Sequence, residues 1–148
     1  MLEDLTIKDF ALIDQDYIEF KNGFTVLSGE TGAGKSILIG AISFLLGGKS
    51  DAGQIRAGKN EANVSATFLL NEPPVSKDLQ AAIQSDEEYE PKNAMEWLFI
   101  HGIEPENNRV LLRRFIRANG KSGAWINDTP VTRTELAQLS SFLIDIHG

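Results

Sequence analysis

The stretch of this 148-residue chain whose residue types and spacing carry chemistry is Gly29-Glu30-Thr31-Gly32-Ala33-Gly34-Lys35-Ser36, a complete G-x-x-x-x-G-K-[ST] match. Glycines at 29, 32 and 34 let the backbone curl so that consecutive N–H groups point at phosphate oxygens, and the following helix adds its positive N-terminal end. Lys35 is placed to reach the β- and γ-phosphates of ATP, and the Ser36 hydroxyl to ligate Mg²⁺. A glycine-rich turn that binds nothing would match by chance about once in a hundred chains of this length, or more rarely. Gly29 through Ser36 are therefore assigned to ATP, and Ser36 to the metal.

Two further groups could do chemistry. Arg109 to Lys121 holds Arg113, Arg114 and Arg117 with no acid, so an anionic partner such as DNA would meet it first; the plainer alternative is the solvated face of a strand pair. Asp145 ends the apolar run Leu143-Ile144, the pattern of a Walker B strand whose carboxylate holds Mg²⁺. A self-contained small kinase would combine Asp145 with Arg113, Arg114 and Arg117 clamping the transferred phosphate. A third option is a non-enzymatic DNA-binding module built on the arginine segment.

These residues need a scaffold. A chain of this length makes about one domain, able to bury roughly two-thirds of its unfolded surface. Its 42% hydrophobic and 24% charged residues are ordinary for a soluble globular protein. No apolar run approaches the roughly 20 residues of a membrane helix, and the acidic start "MLEDLTIKDF" does not resemble a secretory signal, so a cytoplasmic location is expected. The absence of cysteine removes disulfides and thiolate chemistry. A net charge of −7 argues against a nucleic-acid coat over the whole surface. Acids dominate from Glu72 to Glu106, and residues 71–108 are expected to be a variable acidic insertion.

Along the chain, Leu2 to Ile7 and Tyr17 to Phe20 are expected as strands, followed by an Asn22-Gly23 turn and an apolar strand Phe24 to Leu27 that enters the phosphate loop. Lys35 to Leu46 is apolar round most of its circumference, so it should be a buried helix, ended by Gly47-Gly48. Val64 to Leu70 alternates as a strand does. In the acidic middle, Ala81 to Ile83 suggests a short helix, Trp97 to Ile100 a strand, and "QSDEEYEPKN" an exposed loop. Val110 to Arg117 and Ala124 to Asn127 form a hairpin closed by "ANGKSG". Thr132 and Glu135 fit a capping box for a helix to about Ser140, and Phe142 to Ile146 reads as a last strand.

With the phosphate motif, "DFALID" (Asp9 to Asp14), "IRAG" (Ile55 to Gly58), "LLRRFI" (Leu111 to Ile116), "WIND" (Trp125 to Asp128) and "IDIHG" (Ile144 to Gly148) resemble the N-terminal head of the RecN family. That family is the bacterial double-strand-break repair group within the SMC-like branch of ABC-type ATPases. The resemblance spans about residues 1–70 and 109–148. Gly123 stands where the family usually has arginine, and Asp128 replaces its usual glycine.

What the resemblance implies is an α/β P-loop NTPase of the ABC/SMC head type. Residues 1–148 would be its N-terminal lobe, with an antiparallel strand subdomain and a parallel strand entering the phosphate loop. It further implies that "IDIHG" leads into a Q-loop glutamine, so Asp145 would not be a Walker B residue. ATP and Mg²⁺ would be the cofactors. The partners would be the C-terminal lobe of the same protein, a second head in a homodimer, and DNA ends. Arg113, Arg114, Arg117 and Lys121 are candidate DNA or head contacts. Full-length members are ATPases, whereas this chain lacks the signature motif and the catalytic carboxylate and is expected to bind ATP without turnover.

Overall fold

The computed structural model describes residues 1–20 and 32–144. Among them, six strands make one antiparallel sheet in the order β2-β1-β3-β4-β5-β6. The strands are β1 (Leu2–Phe10), β2 (Ile13–Glu19), β3 (Glu61–Leu69), β4 (Arg109–Arg117), β5 (Ser122–Ile126) and β6 (Thr129–Val131). Strict alternation sets one face inward: Ala62, Val64, Ala66 and Phe68 of β3 meet Val110, Leu112 and Ile116 of β4 in a single core. The expected strand Phe24 to Leu27 and its Asn22-Gly23 turn lie outside the described residues.

Among the described residues four α-helices accompany the sheet: α1 (Gly32–Leu45), α2 (Lys77–Ser85), α3 (Ala94–Ile100) and α4 (Arg133–Leu143). Helix α1 lies on β3 and β4, α4 on β5, and α3 on α4. Ala41, Ile42, Phe44 and Leu45 of α1 are buried, and each of the three larger side chains contributes about 1.5–3 kcal/mol of hydrophobic stabilisation. The expected capping box is present, with Glu135 N–H donating to Thr132 Oγ1 at 3.0 Å and Thr132 N–H to Glu135 Oε1 at 2.9 Å.

Several expectations need correction. The residues between the two expected strands, Lys8 to Asp16, belong to a tight hairpin, because Ala11, at φ 53°, lets the chain reverse between Phe10 and Ile13. Trp97 to Ile100 is helix, not strand: Asn93 caps α3 by accepting from the Glu96 amide at 2.9 Å, and the aromatic run follows that cap. Gln84 and Ser85 of the expected loop close α2. Phe142 and Leu143 end α4, since Leu136, Leu139 and Leu143 continue its buried stripe; Ile144 is extended, and 145–148 lie outside the described residues.

The acidic middle is also part of the fold. Ala94, Met95, Trp97, Leu98 and Ile103 belong to the same core as the sheet. Trp97 Nε1 donates to Gln138 Oε1 at 3.2 Å, tying α3 to α4.

Candidate nucleotide site

Helix α1 begins at Gly32, so Gly32, Ala33, Gly34, Lys35 and Ser36 of the phosphate motif form its first turn; Gly29, Glu30 and Thr31 lie outside the described residues. The first amides of a helix have no intrahelical acceptor, and no acid stands in this first turn to occupy them. Lys35 is half-buried and Ser36 is at the surface. The amides of a helix N-terminus, an ammonium and a hydroxyl fit a phosphate with its Mg²⁺. Among the described residues no group of three or more His, Cys, Asp or Glu could hold a metal on its own.

The far end of α1 is held tightly. Gly48 N–H bonds to Ser43 O at 2.9 Å and Gly47 N–H to Phe44 O at 3.3 Å, with Gly47 at φ 98°. This is a Schellman termination, and the left-handed position explains one of the paired glycines. A Cβ on Gly47 would also come within 2.9–3.0 Å of Ala137 on α4.

Two guanidinium groups also bind carbonyls at this end. Arg114 Nη1 donates to Phe44 O and Gly48 O, and Arg133 Nε donates to Gly47 O at 2.8 Å. Positive charge here complements the negative end of the helix. Burial, and secondarily the nearby Arg133, push the Arg114 pKa down to about 10, which leaves it charged at neutral pH.

Arg114 is therefore withdrawn from the candidate surface contacts: it is 2% exposed. Strand alternation turns Arg113 and Arg117 to the opposite, solvent side. There Arg113 lies 4.6 Å from the Trp125 ring centroid, Arg117 4.7 Å from that of Phe115, and the two rings are 5.5 Å apart. Arg117 is further tied to Glu61 at 2.9 Å. Lys121 is exposed in the β4–β5 turn. The three arginines thus do not converge on a phosphate beside α1, and the clamp required by a self-contained kinase is not formed by them. Asp145 lies outside the described residues.

The structure also joins two segments that the sequence keeps apart. Arg56 N–H bonds to Asp9 O at 2.8 Å, Arg56 Nη1 to Leu12 O at 2.6 Å, and Ala11 N–H to Gln54 O at 2.6 Å. "IRAG" is thereby clasped to the turn of the β1–β2 hairpin. Both segments are visible in the sequence as motifs; their pairing is not.

An antiparallel sheet carrying a buried helix that starts inside a phosphate-loop motif has the fold of SMC head domains. A chain from the study of ATP-driven dimerization and DNA-stimulated activation of SMC ATPases superimposes with a TM-score of 0.62 at 24% identity, over 96% of this chain and 78% of that one. The SMC head domain from Thermotoga maritima gives 0.56 at 19% identity, over 93% and 41%.

The chain belongs to the AAA domain family, whose model matches residues 4–135. It is similar to the DNA repair protein RecN of Treponema pallidum, 43% identical over 148 residues, which is all of this chain and 23% of that protein. The chain spans about a quarter of the length of such relatives. The similarity runs through residues 71–108, wider than the two blocks of motif resemblance.

Proposed function

We propose that this chain is the ATP-binding lobe of an SMC-like DNA repair ATPase acting in recombinational repair of double-strand breaks. The observation that carries the proposal is the complete Gly29–Ser36 motif, with its last five residues on the first turn of a helix anchored at its other end by Arg114 and Arg133. Similarity to RecN over the whole chain supports the repair role.

Gly29 to Gly34 would contribute main-chain amides to the phosphates, Lys35 a charge-assisted contact, and Ser36 a ligand for Mg²⁺. Bound ATP supplies a γ-phosphate that two heads can share, which favours the closed pair until hydrolysis removes it. The partners are the C-terminal lobe of the same protein, a second head in a homodimer, and DNA ends. Residues 1–148 form the N-terminal lobe, and the protein works in the cytoplasm at the nucleoid. Among the described residues no helix is long and apolar enough to cross a membrane.

The chain alone binds ATP without turning it over, because its sequence holds neither a signature motif nor a catalytic carboxylate of the family. The test is Mg²⁺-dependent ATP hydrolysis by the 148-residue chain, with Lys35→Ala as the control. Activity should arise only when the C-terminal remainder is added. Lys35-dependent turnover by the chain alone would show a self-contained enzyme and overturn the proposal.

A further inference from the structure

The whole net charge of the protein sits in one segment. Residues 71–108 hold nine acids (Glu72, Asp78, Asp86, Glu87, Glu88, Glu90, Glu96, Glu104, Glu106) against Lys77 and Lys92, which is −7, while the rest of the chain carries twelve of each sign. Among the described residues, both ion pairs, Arg109–Glu3 and Arg117–Glu61, join strands of the sheet. Among the described residues, none of the nine acids forms an ion pair with a lysine or arginine.

This segment also contains two adjoining open hollows of about 490 and 410 Å³. They share Phe99, Ile103 and Glu104 as a common wall, so the half-buried Phe99 ring divides one groove into two compartments. Ile83 and Ile100 line the first compartment, Val75 and Met95 the second. Ile100 is 40% exposed, a large apolar side chain facing water. Asp86 and Glu87 border the first compartment, and among the described residues no lysine or arginine lines either one.

The groove is held in shape. The carboxylate of Glu96, buried on α3, accepts from Tyr89 Oη at 2.7 Å and from the Lys92 amide at 3.0 Å. These bonds fasten the turn that carries the acidic rim against α3. An apolar floor with fixed compartments and an uncompensated anionic rim selects its ligand by charge and shape together.

We infer that this groove docks a basic amphipathic helix of a partner protein. Two apolar side chains spaced i, i+3 or i, i+4 enter on either side of Phe99, and flanking lysines or arginines face Asp86, Glu87 and Glu104. Such residues stand about 5–6 Å apart on one helix face, a span suited to straddling one aromatic ring. The surface is distinct from the arginine face of the sheet, and nucleic acid is repelled from it by like charge.

Fluorescence anisotropy with the full-length protein at physiological salt tests this, using a labelled Leu–Lys amphipathic helical peptide as the probe. A peptide of the same composition with its leucines scattered round the helix, and a Leu–Glu peptide, serve as controls. Saturable binding is expected for the Leu–Lys peptide alone, weakened at least tenfold by Ile100→Asp and by Glu87→Lys/Glu104→Lys, but unchanged by Arg113→Ala/Arg117→Ala. The charge-reversed pair lies at exposed positions and covers the case in which Ile100→Asp impairs folding. Equal binding of the scattered peptide, indifference to both groove variants, or loss on removing Arg113 and Arg117 would overturn the inference. So would absence of saturable binding by the Leu–Lys peptide.

Discussion

Arg114 places its guanidinium 4.5 Å from the centroid of the Phe44 ring and donates to the carbonyl oxygen of that same residue. A strand of the sheet thereby holds the C-terminal end of the helix whose first turn carries Lys35. Rigidity at one end of α1 fixes the direction of the amides at the other.

Replacing Arg114 with Met keeps the apolar stem but removes the donor to Gly48 O and one of the two donors to Phe44 O, which still accepts from Gly47 N–H. One carbonyl left unpaired costs about 1–3 kcal/mol, and the urea unfolding midpoint should fall by that equivalent. Arg114→Lys should recover only part of this, since an ammonium lacks the planar fork. A Met variant as stable as the parent would show that the guanidinium does not hold the helix.

Gly123, where the related family usually has arginine, lies under the Phe115 ring: a Cβ there would stand 2.6 Å from Phe115 Cε1. Gly123→Ala should therefore cost about 1–3 kcal/mol, the usual penalty for overpacking. In a Phe115→Ala background the cost should shrink below about 0.5 kcal/mol, a coupling that a double-mutant cycle reads directly. Equal costs in both backgrounds would clear the ring of responsibility.

For nucleotide binding, Lys35→Ala removes a charge-assisted contact worth about 1.5–3 kcal/mol. Affinity for Mg-ATP, measured by calorimetry, should drop by about 10- to 150-fold. An unchanged dissociation constant would refute the role given to this lysine.

Acid should weaken the fold through two carboxylates. The Thr132 amide holds the Glu135 carboxyl below its usual range, and the Arg117 guanidinium, followed by Asn63, does the same for Glu61. A depressed folded-state pKa adds stability that is present above the unfolded carboxylate value of about 4.3 and lost as pH falls through the lowered value. Glu61→Gln/Glu135→Gln should flatten the stability profile below about pH 4.5, while costing less than about 1 kcal/mol at pH 7. Denaturant melts across the acid range would show an undiminished slope if other groups are responsible.

DNA contact by the outer face is tested in the full-length protein. Arg113→Ala/Arg117→Ala should weaken DNA binding across sequences and reduce the salt dependence by about the contribution of two phosphates. If the salt slope is unchanged, the two arginines serve only to cover Trp125 and Phe115.

Local rules made much of this protein legible before any coordinates. The glycines, lysine and serine of the phosphate motif follow from the chemistry of phosphate binding. The α1 terminus at Gly47-Gly48 and the Thr132–Glu135 box follow from backbone groups that need partners within a few residues. The β4–β5 hairpin follows from alternation and a turn sequence. Where the reading failed, at Trp97 to Ile100 and Phe142 to Leu143, a short apolar run fits a strand and a buried helix equally. The signals that separate them are quiet: Asn93 three residues before Glu96, and the Leu136-Leu139-Leu143 spacing.

Tertiary structure decided what depends on which side of the sheet a residue faces and what lies across from it. Arg113 and Arg114 are adjacent and chemically identical, yet one stacks on Trp125 in solvent and the other is sealed against α1. The alternation is written in the sequence, but which face becomes the core is set by where α1 packs. The same holds for the acidic middle. Its composition reads as a variable insertion with Trp97 to Ile100 as a strand, whereas Trp97 and Leu98 lie on a helix that enters the common core because α4 offers it a surface, and the groove beside Phe99 exists only because it does.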